Sequence, residues 1–228
     1  ISEAKDVTKV VTTLITNIDS LFKDKTDFNQ DISSWDVSNV TSMRFVFSGI
    51  QSKYNKFNQD IGIWDVSNVT DMSAMFNNSN FNQDIGKWDV SNVTKMNSMF
   101  LWSDFNQDIG DWDVSSVTIF TAMLQNTPFN QDVGDWDVSS ATKMNDLFAG
   151  SQFNHDINSW DVSNVTDMWG VFHATPFNQP LDKWDMSKVT RTESMFSSND
   201  AFNQDISEWN VENVEMMRKM FKDNDAFN

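Results

Sequence analysis

Seven aspartates stand at one fixed place in a word that the chain keeps repeating. Asp36, Asp65, Asp89, Asp113, Asp137, Asp161 and Asp185 each follow a Trp and precede Val or Met and then Ser. Carboxylates are the ligands a hard cation takes, and together with turn carbonyls such a row could hold Ca2+. If successive units stack at strand spacing, neighbouring carboxylates come within about 5 Å and repel by about 1 kcal/mol in water-like surroundings, so something must offset them. Ca2+ is one answer. The other is hydrogen bonding from turn amides and from nearby Ser and Asn side chains. The word lacks the fixed Gly and the alternating ligands of a Ca2+ loop, which favours the second answer. Another row, Asp31, Asp60, Asp84, Asp108, Asp132, Asp156 and Asp205, gives way to Pro180 in one unit and reads as turn acceptors.

Binding chemistry should lie where the units differ. Ile63, Lys87 and Lys183 occupy the variable slot before the Trp, and Phe45, Trp102 and Trp169 are aromatics outside the repeated pattern. Tyr54 lies in an insertion spanning Ser48 to Lys56. Exposed aromatics are favoured anchors for a partner, so these seven residues are the candidate ligand-binding set. No catalytic set is visible. The only histidines are His155 and His173, there is no Cys, and the abundant carboxylates sit in identical surroundings, whereas acid–base catalysis needs a dissimilar pair. A formal net charge of −17 without a Lys/Arg cluster argues against nucleic acid or an anionic membrane as partner. No apolar run approaches a membrane span, and without Cys the redox compartment cannot be read.

The elements that must position these residues follow from the repeat. The word FN(Q/H) starts at residues 28, 57, 81, 105, 129, 153, 177 and 202, mostly 24 residues apart. Self-similarity in that range means stacked units, and 24 residues are too few for a propeller blade. In each unit Trp64 and Val66 alternate with Asp65, which predicts a short strand. Val69, Met72, Met75 and Phe76 then recur at three and four, which predicts about two turns of helix, with Thr70 as N-cap. Trp35, Trp64, Trp88, Trp112, Trp136, Trp160, Trp184 and Trp209 fall in phase with the inward Val and are expected in the core. The Asn and Gln of FNQ are expected to form amide ladders that satisfy turn backbones. Asn39, Asn68, Asn92 and Asn164 each open an N-V-T glycosylation sequon, but they belong to the repeated word.

Val7, Val10, Val11, Leu14, Ile15, Ile18, Leu21 and Phe22 also follow helix period, so Ser2 to Phe22 reads as an amphipathic helix capping the first unit. The expected organisation is thus residues 1–27 as capping helix and link, 28–226 as an eight-repeat array, and 227–228 as the start of a ninth repeat.

The pattern F-N-Q-D-I-x-x-W-D-V-S-N-V-T-x-M-x-x-M-F, unbroken from Phe28 to Phe221, resembles a bacterial surface-protein repeat first noted in mycoplasma lipoproteins, itself similar to BspA-like leucine-rich-repeat proteins. The chain departs from it at Pro180–Leu181, Asn210 and Glu215. The resemblance implies an α/β solenoid, leucine-rich-repeat-like and right-handed, of strand-plus-helix repeats, displayed extracellularly or on a cell surface. It implies a non-enzymatic role in adhesion or protein interaction, with a protein or glycan on another surface as partner. Two alternatives stay open: a spacer or assembly subunit of a longer stalk, sheath or filament, self-associating end to end through an uncapped C-terminal unit, and a Ca2+-dependent carbohydrate binder.

Overall fold

The computed structural model describes residues 6–228. The repeat is real, but its units are not strand plus helix. Among the described residues there is no helix and no sheet. Backbone pairing by strand geometry is confined to isolated bridges: a parallel series through Asn17, Ser42, Asp71, Lys95, Ile119, Lys143, Asp167, Arg191 and Met216, a parallel bridge between Asn55 and Ser79, and an antiparallel one between Ile50 and Lys53 in the insertion. The expected leucine-rich-repeat-like α/β solenoid is therefore incorrect. Each unit is a coil made of tight turns, and nine coils stack.

Two local reasons explain the difference. The Trp-Asp-Val segment keeps its inward–outward alternation, with Trp64 and Val66 buried and Asp65 exposed. It is too short to be a strand, because a turn closes on either side: the Trp64 N–H donates to the Ile61 carbonyl (3.0 Å) and the Val69 N–H to the Val66 carbonyl (2.8 Å). The segment after Thr70 owes its three-and-four spacing to consecutive three-residue turns. Met75 N–H donates to Met72 O and Asn77 N–H to Ala74 O, while Ala74 and Asn78 take φ of 54° and 49°. The N–H groups of Met72, Ala74, Phe76 and Asn78 turn instead to the next coil, donating to the carbonyls of Lys95, Asn97, Met99 and Leu101 at 2.8–3.0 Å. A helix would have kept those bonds within the coil.

Thr70 does not cap a helix either. Its N–H and its Oγ1 both reach the Thr41 carbonyl of the preceding coil, at 2.9 and 3.2 Å, and this repeats from Thr41 to Thr190.

The predicted capping helix is likewise corrected. Its Ser2 to Lys5 lie outside the described residues, and Asp6 to Phe22 form a ninth, degenerate coil. Val7 fills the Ile32 slot, receiving the Trp35 Nε1–H on its carbonyl (3.0 Å), and Phe22 is buried and stacked on Phe28 with centroids 3.8 Å apart. Val11 and Leu14, inward on a helix, are 85% and 92% exposed.

The core is a set of columns. All eight repeat Trp side chains are buried; the Trp35 Nε1–H donates to the Val7 carbonyl, and each later indole Nε1–H donates to the carbonyl three residues before the Trp of the preceding coil. The buried indole thus has its polar atom satisfied while its rings fill the interior. The last Phe of a coil lies face to face with the FNQ Phe that follows it, as in Phe47–Phe57 and Phe76–Phe81 (3.8 and 3.9 Å between centroids). In the coil starting at Phe105, Leu124 takes that Phe slot and Phe120 replaces the Met, packing 6.0 Å from Trp136. The bulk has moved within one layer of the core.

One buried group breaks the pattern. Thr192 sits fully buried in a slot that holds Met in most coils, and its Oγ1 has no hydrogen-bond partner. Replacing it with Val removes an orphaned hydroxyl at nearly constant volume, so Thr192→Val is expected to raise stability by about 1 kcal/mol in urea or thermal unfolding. Ala174, exposed at φ 53°, offers a second check. Ala→Gly normally destabilises, but at a left-handed position it relieves a clash of about 1 kcal/mol, so Ala174→Gly is expected to leave the melting temperature unchanged or raise it.

Candidate functional site

Each coil has constant and variable parts, and the backbone decides which is which. The FNQ turn is constant because its side chains hold neighbouring coils. Asn58 Oδ1 accepts the Asn82 N–H (2.9 Å) and Gln83 Nε2–H (3.1 Å), and the ladder continues through Asn203. His155, in a Gln slot, keeps the connection through Nε2 to the Asn130 carbonyl (3.0 Å). The sequon Asn39, Asn68, Asn92 and Asn164 are engaged too: each Nδ2 donates to a carbonyl of the preceding coil at 2.8–2.9 Å.

The Asp rows belong to the same framework. In Asp36, Asp65, Asp89 and Asp113 the Oδ1 accepts both the N–H and the Oγ–H of the Ser two residues on; in Asp137, Asp161 and Asp185 it accepts the N–H. The Ser hydroxyl first, and the Ser N–H second, hold Asp36, Asp65, Asp113, Asp137 and Asp185 below the usual carboxylate range. Neighbouring coils oppose this weakly, Asp36 acting on Asp65 and Asp113 on Asp137. The second Asp row closes turns in the same way, as in Gly62 N–H to Asp60 Oδ1 (2.9 Å). For a cation these carboxylates would offer their remaining oxygen. Among the described residues no group of three or more His, Asp and Glu converges as a metal site.

The seven candidate ligand residues fall into separate places. Ile63 (78% exposed) and Lys87 lie on the turns before the Trp and line a shallow 180 Å³ hollow with Asp60, Gly62 and Asp84; Lys183 is exposed on the equivalent turn of a later coil. Tyr54 is exposed in the insertion. Phe45, Trp102 and Trp169 lie instead on the segment after the Thr, the bridge-bearing side. There Phe45 lies under Lys23 Nζ (4.8 Å to the ring centroid) and Trp169 under the Arg191 guanidinium (4.8 Å). Trp102 is 48% exposed.

That segment also carries a group that sequence reasoning missed. Arg191 pairs with Glu193 (2.8 Å) and reaches Asp167 (4.0 Å), and Arg218 pairs with Glu193 (3.2 Å). Asp146 is buried beside them at φ 55°, with Gly170 so close that a Cβ there would lie 2.4 Å from Asp146 Oδ1. Burial pushes the Asp146 carboxyl up to about 6, against the pull of His173 and Arg191. His173 turns its Nδ1 to the Ser197 carbonyl (2.8 Å). A signal was present in the sequence: once the coils are aligned on their Thr, Asp146, Asp167, Trp169, His173, Arg191 and Glu193 all fall in the variable slots.

A family model described as "Mycoplasma protein of unknown function, DUF285" matches residues 2–101, 51–152 and 151–228. No curated protein and no solved structure matches the chain.

The raised Asp146 gives a pH test. A carboxyl whose folded pKa of about 6 exceeds its unfolded value near 3.8 costs nothing below pH 3.8, and its cost grows until pH 6. Asp146→Asn is expected to stabilise the fold by something on the order of 1 kcal/mol at pH 7, after allowing for solvent screening, and by much less at pH 3.5. Paired melting curves at the two pH values measure it.

Proposed function

Because the chain belongs to this family of Mycoplasma proteins of unknown function and is a repeat module along its matched length, we propose that it is a non-enzymatic display module. On a cell surface it presents the variable segment after each Thr to a partner on another surface, a protein or a glycan. The observation that carries this reading is the division of labour within each coil. The Trp, FNQ and Thr positions are occupied in holding coils together and the Asp-Ser positions in closing turns within them, whereas the post-Thr slots place Phe45, Trp102 and Trp169 on one side of the stack with the Arg191–Glu193–Arg218 pairs. Large aromatic and Arg side chains with few fold duties are the residue types that dominate binding energy at interfaces. Support for a non-enzymatic role comes from the histidines, since both turn a ring nitrogen to a backbone carbonyl. The cell-surface setting rests on the resemblance of the repeated word to surface-protein repeats.

The test is retention of fluorescently labelled protein on cultured animal cells. Trp102→Ala with Trp169→Ala is expected to cut retention at least tenfold with a change of no more than a few degrees in melting temperature, while Ile63→Ser with Lys87→Ser leaves retention unchanged. Equal retention by the Trp-less variant would overturn the reading.

A further inference from the structure

Trp102 is the one Trp that the fold gives no use. Eight others fill the core columns, and Trp169 lies under Arg191. Trp102 stands 48% exposed at φ 57°, a left-handed position that a bulky side chain occupies only at a cost. In other coils the same slot holds Asp24, Asn78, Asn126, Gly150, Ala174, Ser198 and Asp223 at positive φ, all smaller, and Gly49 without it.

Its neighbours define the chemistry. The Asn78 N–H donates to the Leu101 carbonyl (2.8 Å) and the Trp102 N–H to the Gln125 carbonyl (3.0 Å), which locks Asn78, Trp102 and Asn126 into one column across three coils. At parallel-bridge spacing, successive members of such a column are about 4.8 Å apart. The half-buried Asn77 and Asn78 on one side, and Gln125 and Asn126 on the other, therefore hold the positions adjoining Trp102 in the two neighbouring coils. The Asn78 Nδ2 donates to Asn77 Oδ1, and the Asn126 carboxamide leans over Gly150, where a Cβ would lie 2.3 Å from its Oδ1. Beyond Asn126 the column carries Gly150, Ala174 and Ser198 in turn, so it stays low over those three coils. The nearest carboxylate along the chain, Asp104, is engaged by Asn80 Nδ2 (2.6 Å).

We infer that this column is a binding subsite for a neutral glycan, with the Trp102 face against a sugar ring and the flanking carboxamides bonded to its hydroxyls. The inference rests on the display reading above and names the partner at that side of the stack. An indole offers an apolar face to the C–H side of a pyranose, and a carboxamide both donates and accepts, matching hydroxyls that do the same. On a chain of net charge −17, an exposed aromatic ringed by uncharged amides suits an uncharged partner better than an ionic one. With amides as the polar groups, binding does not depend on Ca2+.

The experiment uses the whole chain on an array of glucose-, galactose- and N-acetylhexosamine-terminated neutral oligosaccharides, with immobilised proteins alongside, in EDTA. Retention on a neutral glycan class is expected, weakened at least tenfold by Trp102→Ala and kept by Ile63→Ser with Lys87→Ser. The soluble form of that glycan is expected to shield the exposed indole of the wild-type chain from acrylamide quenching. If no glycan is retained, or if Trp102→Ala binds as well as wild type, the inference falls. Should Trp102→Ala still lose retention on cells in that case, the display reading stands and the partner is a protein.

Discussion

The fold depends on one constraint: a coil with neither helix nor sheet must send its backbone hydrogen bonds to its neighbours. A buried N–H or C=O left unpaired costs as much as a lost hydrogen bond, so the accounting has to close. It closes here through alternate residues. In the post-Thr segment every second N–H points to the next coil, and the residues between them complete local turns. This alternation goes with two left-handed residues in every coil except that of Phe45 and Gly49, which has one, and the chain places Ala, Ser, Asn, Phe, Asp, Trp and Lys there as readily as Gly. Each such residue costs about 1 kcal/mol of local strain, which the stacked ladder outweighs. A single coil, lacking neighbours on both sides, could neither close the ladder nor bury its Trp and Phe, so order along the stack is collective.

Much of the interior was legible in the sequence because burial depends on side-chain type and spacing more than on backbone conformation. The Trp row and the amide ladder could be read from the repeat, whereas the face-to-face Phe pairs are visible only in the structure. The secondary structure could not, for a physical reason. Period three to four marks a helix only if the hydrogen bonds run along the chain, and consecutive three-residue turns generate the same spacing at Met72, Met75 and Phe76 while sending alternate bonds sideways. The N-terminal coil was misread for the same reason. Val7, Ile18 and Phe22 are spaced as on a helix, yet Asp6-Val7, Thr16 and Leu21-Phe22 lie at the offsets of Asp31-Ile32, Thr41 and Val46-Phe47. Alignment on those residues separates the two readings.

The candidate site was legible only in part. Aromatics outside the pattern could be found by eye, and Trp102 and Trp169 do lie on one variable side. The Asp146–His173 and Arg191–Glu193–Arg218 group could not, since its members are spread from residue 146 to residue 218 and meet only through coil-to-coil register. The Asp rows show the converse. They look like ligands because they are acidic and periodic, and each carboxylate closes a turn through the residue two positions on, a Ser in the first row and mostly a Gly in the second, a duty sufficient to account for their repetition.

The separation of constant from variable positions follows from the same geometry. The layer containing Phe120 and Leu124 shows one core slot changing together with a neighbour that compensates its volume, as close packing favours. Left-handed positions such as those of Trp102, Asn126 and Gly150 are constrained differently. Their backbone is fixed by the ladder, while the side chains in this column stay out of the fully buried core. A substitution there changes what the surface offers and costs at most the small difference in left-handed strain. The stack can thus vary one side while the columns behind it stay fixed, and exposed chemistry is expected to concentrate on the segment where the backbone, and not the side chain, makes the bonds between coils.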